Sequence, residues 1–200
     1  MPERGFRLVV IGVSSGGVHA LKQLLGALPG DFPLPLLIVQ HISADADDGM
    51  ARLLAEFCGI RVKEADEQER IAPGTAYLAP PNYHLQVERD GQLSLAADGY
   101  VSYARPWVDV LFESAAAAFG RAVIGVVLTG ANADGARGLK AIKDAGGLAI
   151  IQDPADAESR QMPEAALAAT ESDYLLPLAD IAATLLRLAA GEGGKKVVDV

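Results

Sequence analysis

Gly12-Val13-Ser14-Ser15-Gly16 fits the pattern G-x-S-x-G and stands between an apolar run, Phe6 to Ile11, and a segment of helical spacing, Val18 to Leu25. The pattern sets a serine on a sharp strand-to-helix turn, where its hydroxyl is exposed beside backbone N–H groups that lack intrahelical partners. Such a serine becomes a nucleophile only with a base in reach, because a hydroxyl at its ordinary pKa attacks esters poorly. The chain holds three histidines, His19, His41 and His84, and none follows residue 84. The hydrolase fold that usually carries this pattern orders its triad Ser, acid, His, so a late histidine is excluded here. A triad on Ser14 must take an early histidine, which is admissible because triads are defined by geometry and role.

Open parallel sheets bind ligands outside the carboxyl ends of their strands. Three polar residues meet that condition. Ser14 follows the first apolar run, His41 follows Leu36-Leu37-Ile38-Val39-Gln40, and Asp134 lies in Thr129-Gly130-Ala131-Asn132-Ala133-Asp134-Gly135 after Val126-Val127-Leu128. Whether those strands are neighbours does not follow from spacing. Each residue also has a plainer reading: Ser14 as a helix N-cap, His41 as a hydrogen-bonded strand-end residue, and Asp134 as a cap of the helix it opens.

The elements that must position these residues alternate. Phe6 to Val13 reads as a strand, Val18 to Leu28 as a helix, Leu34 to Gln40 as a strand and Asp47 to Phe57 as a helix, with Gly and Pro at the joins. Apolar runs without period-two alternation suit parallel strands covered on both faces. In the middle, Arg61 to Glu64, Ala76 to Ala79, His84 to Arg89 and Gln92 to Ala96 read as short strands, with a hairpin signal at Arg89-Asp90-Gly91-Gln92. Alternation resumes with a helix from Pro106 to Phe119, a strand Ala122 to Leu128, a helix from Asp134 to Ala145 and a strand Leu148 to Gln152. Helices over Met162 to Ala169 and Leu178 to Ala189 flank a short strand at Tyr174 to Leu176. The expected fold is α/β: a three-layer, doubly wound, mostly parallel sheet with an antiparallel hairpin insertion, over residues 1–190, with 191–200 a flexible tail.

Two hundred residues, 50% hydrophobic and 22% charged, suffice for one domain with a substantial core. The formal net charge of −9 opposes a phosphate backbone, so nucleic acid is not an expected partner. No apolar stretch is long enough to span a bilayer, which points to a cytoplasmic protein without membrane insertion. The single cysteine, Cys58, suits a reducing compartment and reads as a core thiol.

Leu8 to Leu21, Val39-Gln40-His41, Leu128-Thr129-Gly130 with Asp134-Gly135, Gln152-Asp153-Pro154, Met162-Pro163, Arg105 to Phe112 and Ala76 to Pro80 resemble, in order and separation, the catalytic domain of the chemotaxis protein-glutamate methylesterases (CheB). The resemblance runs over nearly the whole chain. It implies a hydrolase that removes methyl groups from glutamyl esters on chemoreceptors, releasing methanol, and also deamidates receptor glutamines. Ser14 then falls on the nucleophile, His41 on the base and Asp134 on the acid that orients the imidazole, while the N–H groups of Ser15 and Ala131 fall where an oxyanion hole is expected. Neutral imidazole, with a reference pKa of about 6.5, can take the serine proton, and oxyanion donors are each worth on the order of 10²–10³ in rate. No metal or organic cofactor is required.

Arg105, Gly16 and Gly17 are candidate substrate contacts, although Arg105 could equally pair with Asp109 at helical spacing. His19 is expected to face solvent, His84 to be structural or to sit on the rim, and Trp107 and Met162 to pack. The sequence departs from the family at Ala131, where a Met is usual, at Asn132-Ala133, and over Ile42 to Met50, whose acidic residues bear on substrate choice. Family members commonly carry an N-terminal receiver domain, but here the first strand begins within a few residues of Met1, which implies a stand-alone esterase, a separate regulatory receiver protein or a fragment. Two rival readings stand beside the esterase: a catalytically weak regulatory or docking module, suggested by the Ala131 to Ala133 loop, and a nucleotide-binding α/β domain using Gly12 to Gly17 as a phosphate cradle. The second lacks G-x-G-x-x-G spacing, a P-loop lysine and a ribose-binding acid after the second strand.

Overall fold

A computed structural model describes residues 5–41, 49–97 and 106–192. Its strands are β1 (Leu8–Val13), β2 (Leu36–Gln40), β3 (Arg61–Glu64), β4 (Thr75–Leu78), β5 (His84–Val87), β6 (Leu93–Ala96), β7 (Val123–Val127), β8 (Leu148–Gln152) and β9 (Tyr174–Leu176). The helices are α1 (Gly17–Gly26), α2 (Gly49–Ala55), α3 (Val108–Phe119), α4 (Ala136–Asp144), α5 (Gln161–Ala169) and α6 (Leu178–Ala189). Seven strands form one sheet in the order β3-β4-β2-β1-β7-β8-β9, with every neighbouring pair parallel.

Strand periodicity divides the core into two layers. Val9, Ile11 and Val13 of β1, with Leu36 and Ile38 of β2, meet Leu21, Leu24 and Leu25 of α1 and Ile181 and Leu185 of α6. The alternate residues Leu8, Val10, Leu37 and Val39 meet Leu111, Phe112 and Ala115 of α3 and Leu139 and Ile142 of α4. Every residue of β1, β2, β7 and β8 is therefore buried, which is why these strands read as unbroken apolar runs.

The middle region splits in two. β5 and β6 form the expected antiparallel hairpin, turned by Gly91 at φ 83° and docked on α3 through the Val87 N–H and the Ser114 hydroxyl at 3.1 Å. β3 and β4 instead extend the main sheet in parallel. The burial pattern accounts for this: β4 is buried at all of its residues and lies between two strands, whereas β3 is partly exposed and forms the edge. α1 ends two residues before the expected Leu28, and α3 and α4 begin two residues after the expected Pro106 and Asp134, whereas α6 has the expected bounds. The expected start of α2 at Asp47 lies outside the described residues. The tail from residue 193 lies outside the described residues. Among the described residues no helix is long and apolar enough to cross a membrane.

Phe112 is fully buried where α3 meets the sheet. Phe112→Ala should cost about 3–5 kcal/mol, read in urea as a lower midpoint with an unchanged slope.

Candidate active site

The register brings three strand ends level. Gly12 of β1 pairs with Val39 of β2 on one side and Val127 of β7 on the other, and Val13 pairs with Gln40. Ser14, His41 and the loop through Asp134 therefore leave the sheet side by side, which supplies the adjacency that spacing alone left open. Short hydrogen bonds tie the three exits together. The Ser14 N–H donates to the Thr129 carbonyl at 2.9 Å, the His41 N–H to the Val13 carbonyl at 3.1 Å, and the Thr129 hydroxyl to the Ser15 carbonyl at 2.8 Å. The Gln40 side-chain amide, buried at the end of β2, donates to the carbonyls of both Ser14 (3.0 Å) and His41 (2.9 Å).

The turn itself depends on glycine at Gly16, whose φ of 79° lies in the left-handed region. Gly16 is also the N-cap of α1, with no side-chain capping bond, so Ser14 does not act as a helix cap. Gly17 is buried and spends its N–H on the Ser14 carbonyl at 2.8 Å. A side chain at Gly130 would strike the Met162 sulfur and come within 3.0 Å of the Ser14 Cβ, so the β7–α4 loop lies directly on the serine and fully buried Met162 packs beneath it.

His41 donates from Nε2 to Asp134 Oδ2 at 2.7 Å, with both side chains largely covered at 16% and 12% exposure. The same carboxylate accepts the Val108 N–H at 2.7 Å and the Asp109 N–H at 2.9 Å. These are N-terminal N–H groups of α3, where the helix dipole favours negative charge. Burial pushes the Asp134 carboxyl up, but the His41 hydrogen bond, the two backbone donors and the imidazole charge together hold it below its ordinary value. It is a carboxylate at neutral pH.

The plainer reading of Asp134, a cap of α4, the helix it opens, does not hold, because its carboxylate caps α3. Asp109, in the first turn of α3, caps α4 in exchange, accepting the N–H groups of Gly135 (3.0 Å) and Gly138 (2.7 Å). Burial drives the Asp109 carboxyl up, the Gly138 bond and Arg137 oppose this, and the nearby Asp134 and Glu113 charges add to it. Sequence reasoning missed this role, although an acid in the first turn after Pro106 was a usable signal. It also passed over Gln40, whose signal was a polar residue closing an otherwise apolar buried strand, and Asn132, whose Asn-x-Asp spacing fits an Asx turn.

A cavity of about 460 Å³ opens above the turn, lined by Ser14, Gly16, His19, Gln40, His41 and Glu158. Among the described residues the N–H groups of Ser15 and Ala131 make no hydrogen bond, and both residues are exposed. His19 is exposed on α1 at the cavity wall. His84 is buried rather than on the rim, and its Nδ1 accepts the Trp107 N–H at 3.3 Å. Cys58 is only half-buried and follows α2 instead of lying in the core; its thiol donates to the Leu54 carbonyl at 2.9 Å, and burial pushes its pKa up. Arg105 and the acidic segment 42–48 lie outside the described residues. Among the described residues no cluster of His, Cys, Asp or Glu is placed to hold a metal.

Two predictions follow from the exchanged caps. Because the fold holds the Asp134 carboxyl below its ordinary value of 3.8, its stabilising contribution is present above that pH and lost as pH falls through the lowered value. Asp134→Asn should therefore lower the melting temperature at pH 7 and flatten its acid decline below about pH 4. Asp109→Ala strands two N–H donors at the start of α4 and should cost about 1–3 kcal/mol in urea unfolding.

The CheB methylesterase family model matches residues 9–185. A protein of Leptospira interrogans, provisionally named a protein-glutamate methylesterase/protein-glutamine glutaminase, is 49% identical over 183 residues, covering 92% of this chain and 95% of its own length. A Moorella thermoacetica protein of the same name without the qualifier is 43% identical over 94% of this chain but is spanned over only 46% of its length, and a Myxococcus xanthus protein-glutamate methylesterase is 41% identical and spanned over 56%. The crystal structure of the Thermotoga maritima CheB methylesterase catalytic domain superposes with a TM-score of 0.87 at 32% identity, covering 92% of this chain and 99% of that one. With its sheet order, its hairpin and most of its length accounted for, the chain belongs to the CheB methylesterase family.

Proposed function

We propose that this site hydrolyses methyl esters of glutamyl side chains on chemoreceptor-type proteins, with receptor glutamine amides as a second substrate class. The observation that carries the reading is the His41–Asp134 pair at 2.7 Å, held beside the Ser14 turn by the level strand ends. The names of the Moorella and Myxococcus relatives supply the substrate class.

In this reading His41 takes the Ser14 proton on Nδ1, because Nε2 is engaged with Asp134. The Ser14 oxygen adds to the ester carbonyl, and the negative charge that develops on the carbonyl oxygen falls to the unspent N–H groups of Ser15 and Ala131. Collapse of the adduct breaks the C–O bond to the methoxy group, which leaves as methanol with the proton from His41. Water then adds to the acyl-enzyme by the same route and frees the glutamate. Asp134 orients the ring and stabilises the imidazolium without itself taking a proton.

The phosphate-cradle alternative is disfavoured by Glu158, whose carboxylate lies against Gly16 at the start of α1, where a phosphate would need to sit. A docking-only role is disfavoured by a β7–α4 loop that, despite its altered residues, presents Asp134 to His41 and leaves the Ala131 N–H open.

The test is methanol release from a methylated receptor fragment. Ser14→Ala and His41→Ala should each lower kcat by about 10⁴-fold or more, and the double variant should fall little further, because the residues act as a unit. Activity should be lost on the acid side, since a protonated imidazole has no lone pair to receive the serine proton. Wild-type methanol release no faster than Ser14→Ala sinks the esterase reading.

A further inference from the structure

The proton-accepting nitrogen of His41 is already occupied. Asn132 stands two residues before Asp134, and its Oδ1 accepts the Asp134 N–H at 2.9 Å. A backbone N–H can only donate, so that amide atom must be the oxygen; the other, 3.0 Å from His41 Nδ1, is the NH₂, which also can only donate. Nδ1 therefore presents its lone pair to Asn132, and the ring proton sits on Nε2, donated to Asp134 at 2.7 Å. The two contacts agree on one tautomer. An imidazole nitrogen has a single in-plane lone pair, so the Ser14 hydroxyl and the Asn132 amide compete for the same acceptor.

We infer that Asn132 is a positioning residue that caps the catalytic base in the substrate-free site and yields Nδ1 to the Ser14 hydroxyl during turnover. The inference rests on the hydrolase reading of Ser14 and His41. Asn132 is exposed on the loop over the site, so its amide can rotate away without disturbing the core, while the Asx turn through Oδ1 keeps it aimed at the ring at rest. Breaking a neutral hydrogen bond of this kind costs a modest factor, about two- to tenfold. Occupying Nδ1 keeps the unloaded serine un-activated towards water and stray electrophiles.

The sign of two variants distinguishes this role from simple loop support. Asn132→Ala removes the competing donor. Asn132→Asp keeps an oxygen for the Asp134 N–H but turns an acceptor towards Nδ1, which draws a proton onto that nitrogen. The readout is the rate at which a fluorophosphonate labels Ser14 at pH 8, together with the ¹⁵N resonances of the His41 ring. Asn132→Ala should label about two- to tenfold faster than wild type, and Asn132→Asp at least about tenfold slower, with Nδ1 gaining a proton in the spectrum. A loop-support role predicts the reverse order, with Asp rescuing what Ala loses. Asn132→Ala no faster than wild type, or Asn132→Asp at the wild-type rate with unchanged ring signals, overturns the inference. If wild type labels no faster than His41→Gln, the hydrolase reading fails instead. The cap is then judged on the spectrum alone, where Asn132→Ala must shift the Nδ1 resonance of the wild-type ring.

Discussion

One carboxylate, Asp134, joins the chemistry of this protein to its architecture. It accepts the His41 Nε2–H and two N-terminal N–H groups of α3, so the group that orients the imidazole also closes a helix. Neither task could be met by an acid on a free loop. A buried carboxylate with fewer donors would be pushed towards its neutral form by desolvation, and a neutral acid would no longer select the tautomer that leaves Nδ1 unprotonated. The α3 N-terminus thus keeps the charge in place, and Asp109 completes the exchange by closing α4.

The sheet does the rest by register. Parallel strands end on the same side, but three residues from distant parts of the chain leave the sheet side by side only if their strands are neighbours and run out at the same residue level. β1 lies between β2 and β7, and the pairings of Gly12 with Val39 and Val127 set that level. Gln40 and Thr129 then fasten the exits to one another through backbone carbonyls, so the site is bound to the rigid sheet even though its residues sit on loops. Among the described residues the buried side-chain oxygen of Gln40, Oε1, has no hydrogen-bond partner and packs against Gly17.

The loop Ala131 to Ala133, one of the places where the sequence departs from the family pattern, alters the surroundings of His41 rather than its contact with Asp134. Asn132 folds back on the acid two residues after it and meets the imidazole at Nδ1, the nitrogen that Asp134 does not touch. The bonds to Asp134 and to Asn132 together fix the imidazole at both nitrogens.

The residues alone determined the alternation of elements, the burial of the central strands and the placing of Ser14, His41 and Asp134 at strand ends, because these follow from local periodicity and from where Gly and polar residues interrupt apolar runs. Only the tertiary structure decided that β3 and β4 join the parallel sheet, since short strands of mixed pattern choose partners by the burial available to them. It also decided which helix each acid caps. A carboxylate in a turn satisfies whichever N–H groups packing brings nearest, and the close approach of α3 to α4, with Gly138 against Phe112, carried Asp134 and Asp109 across to one another's helices. The partner of His41 Nδ1 was likewise hidden, because a contact between residues 91 positions apart depends on the fold that joins them.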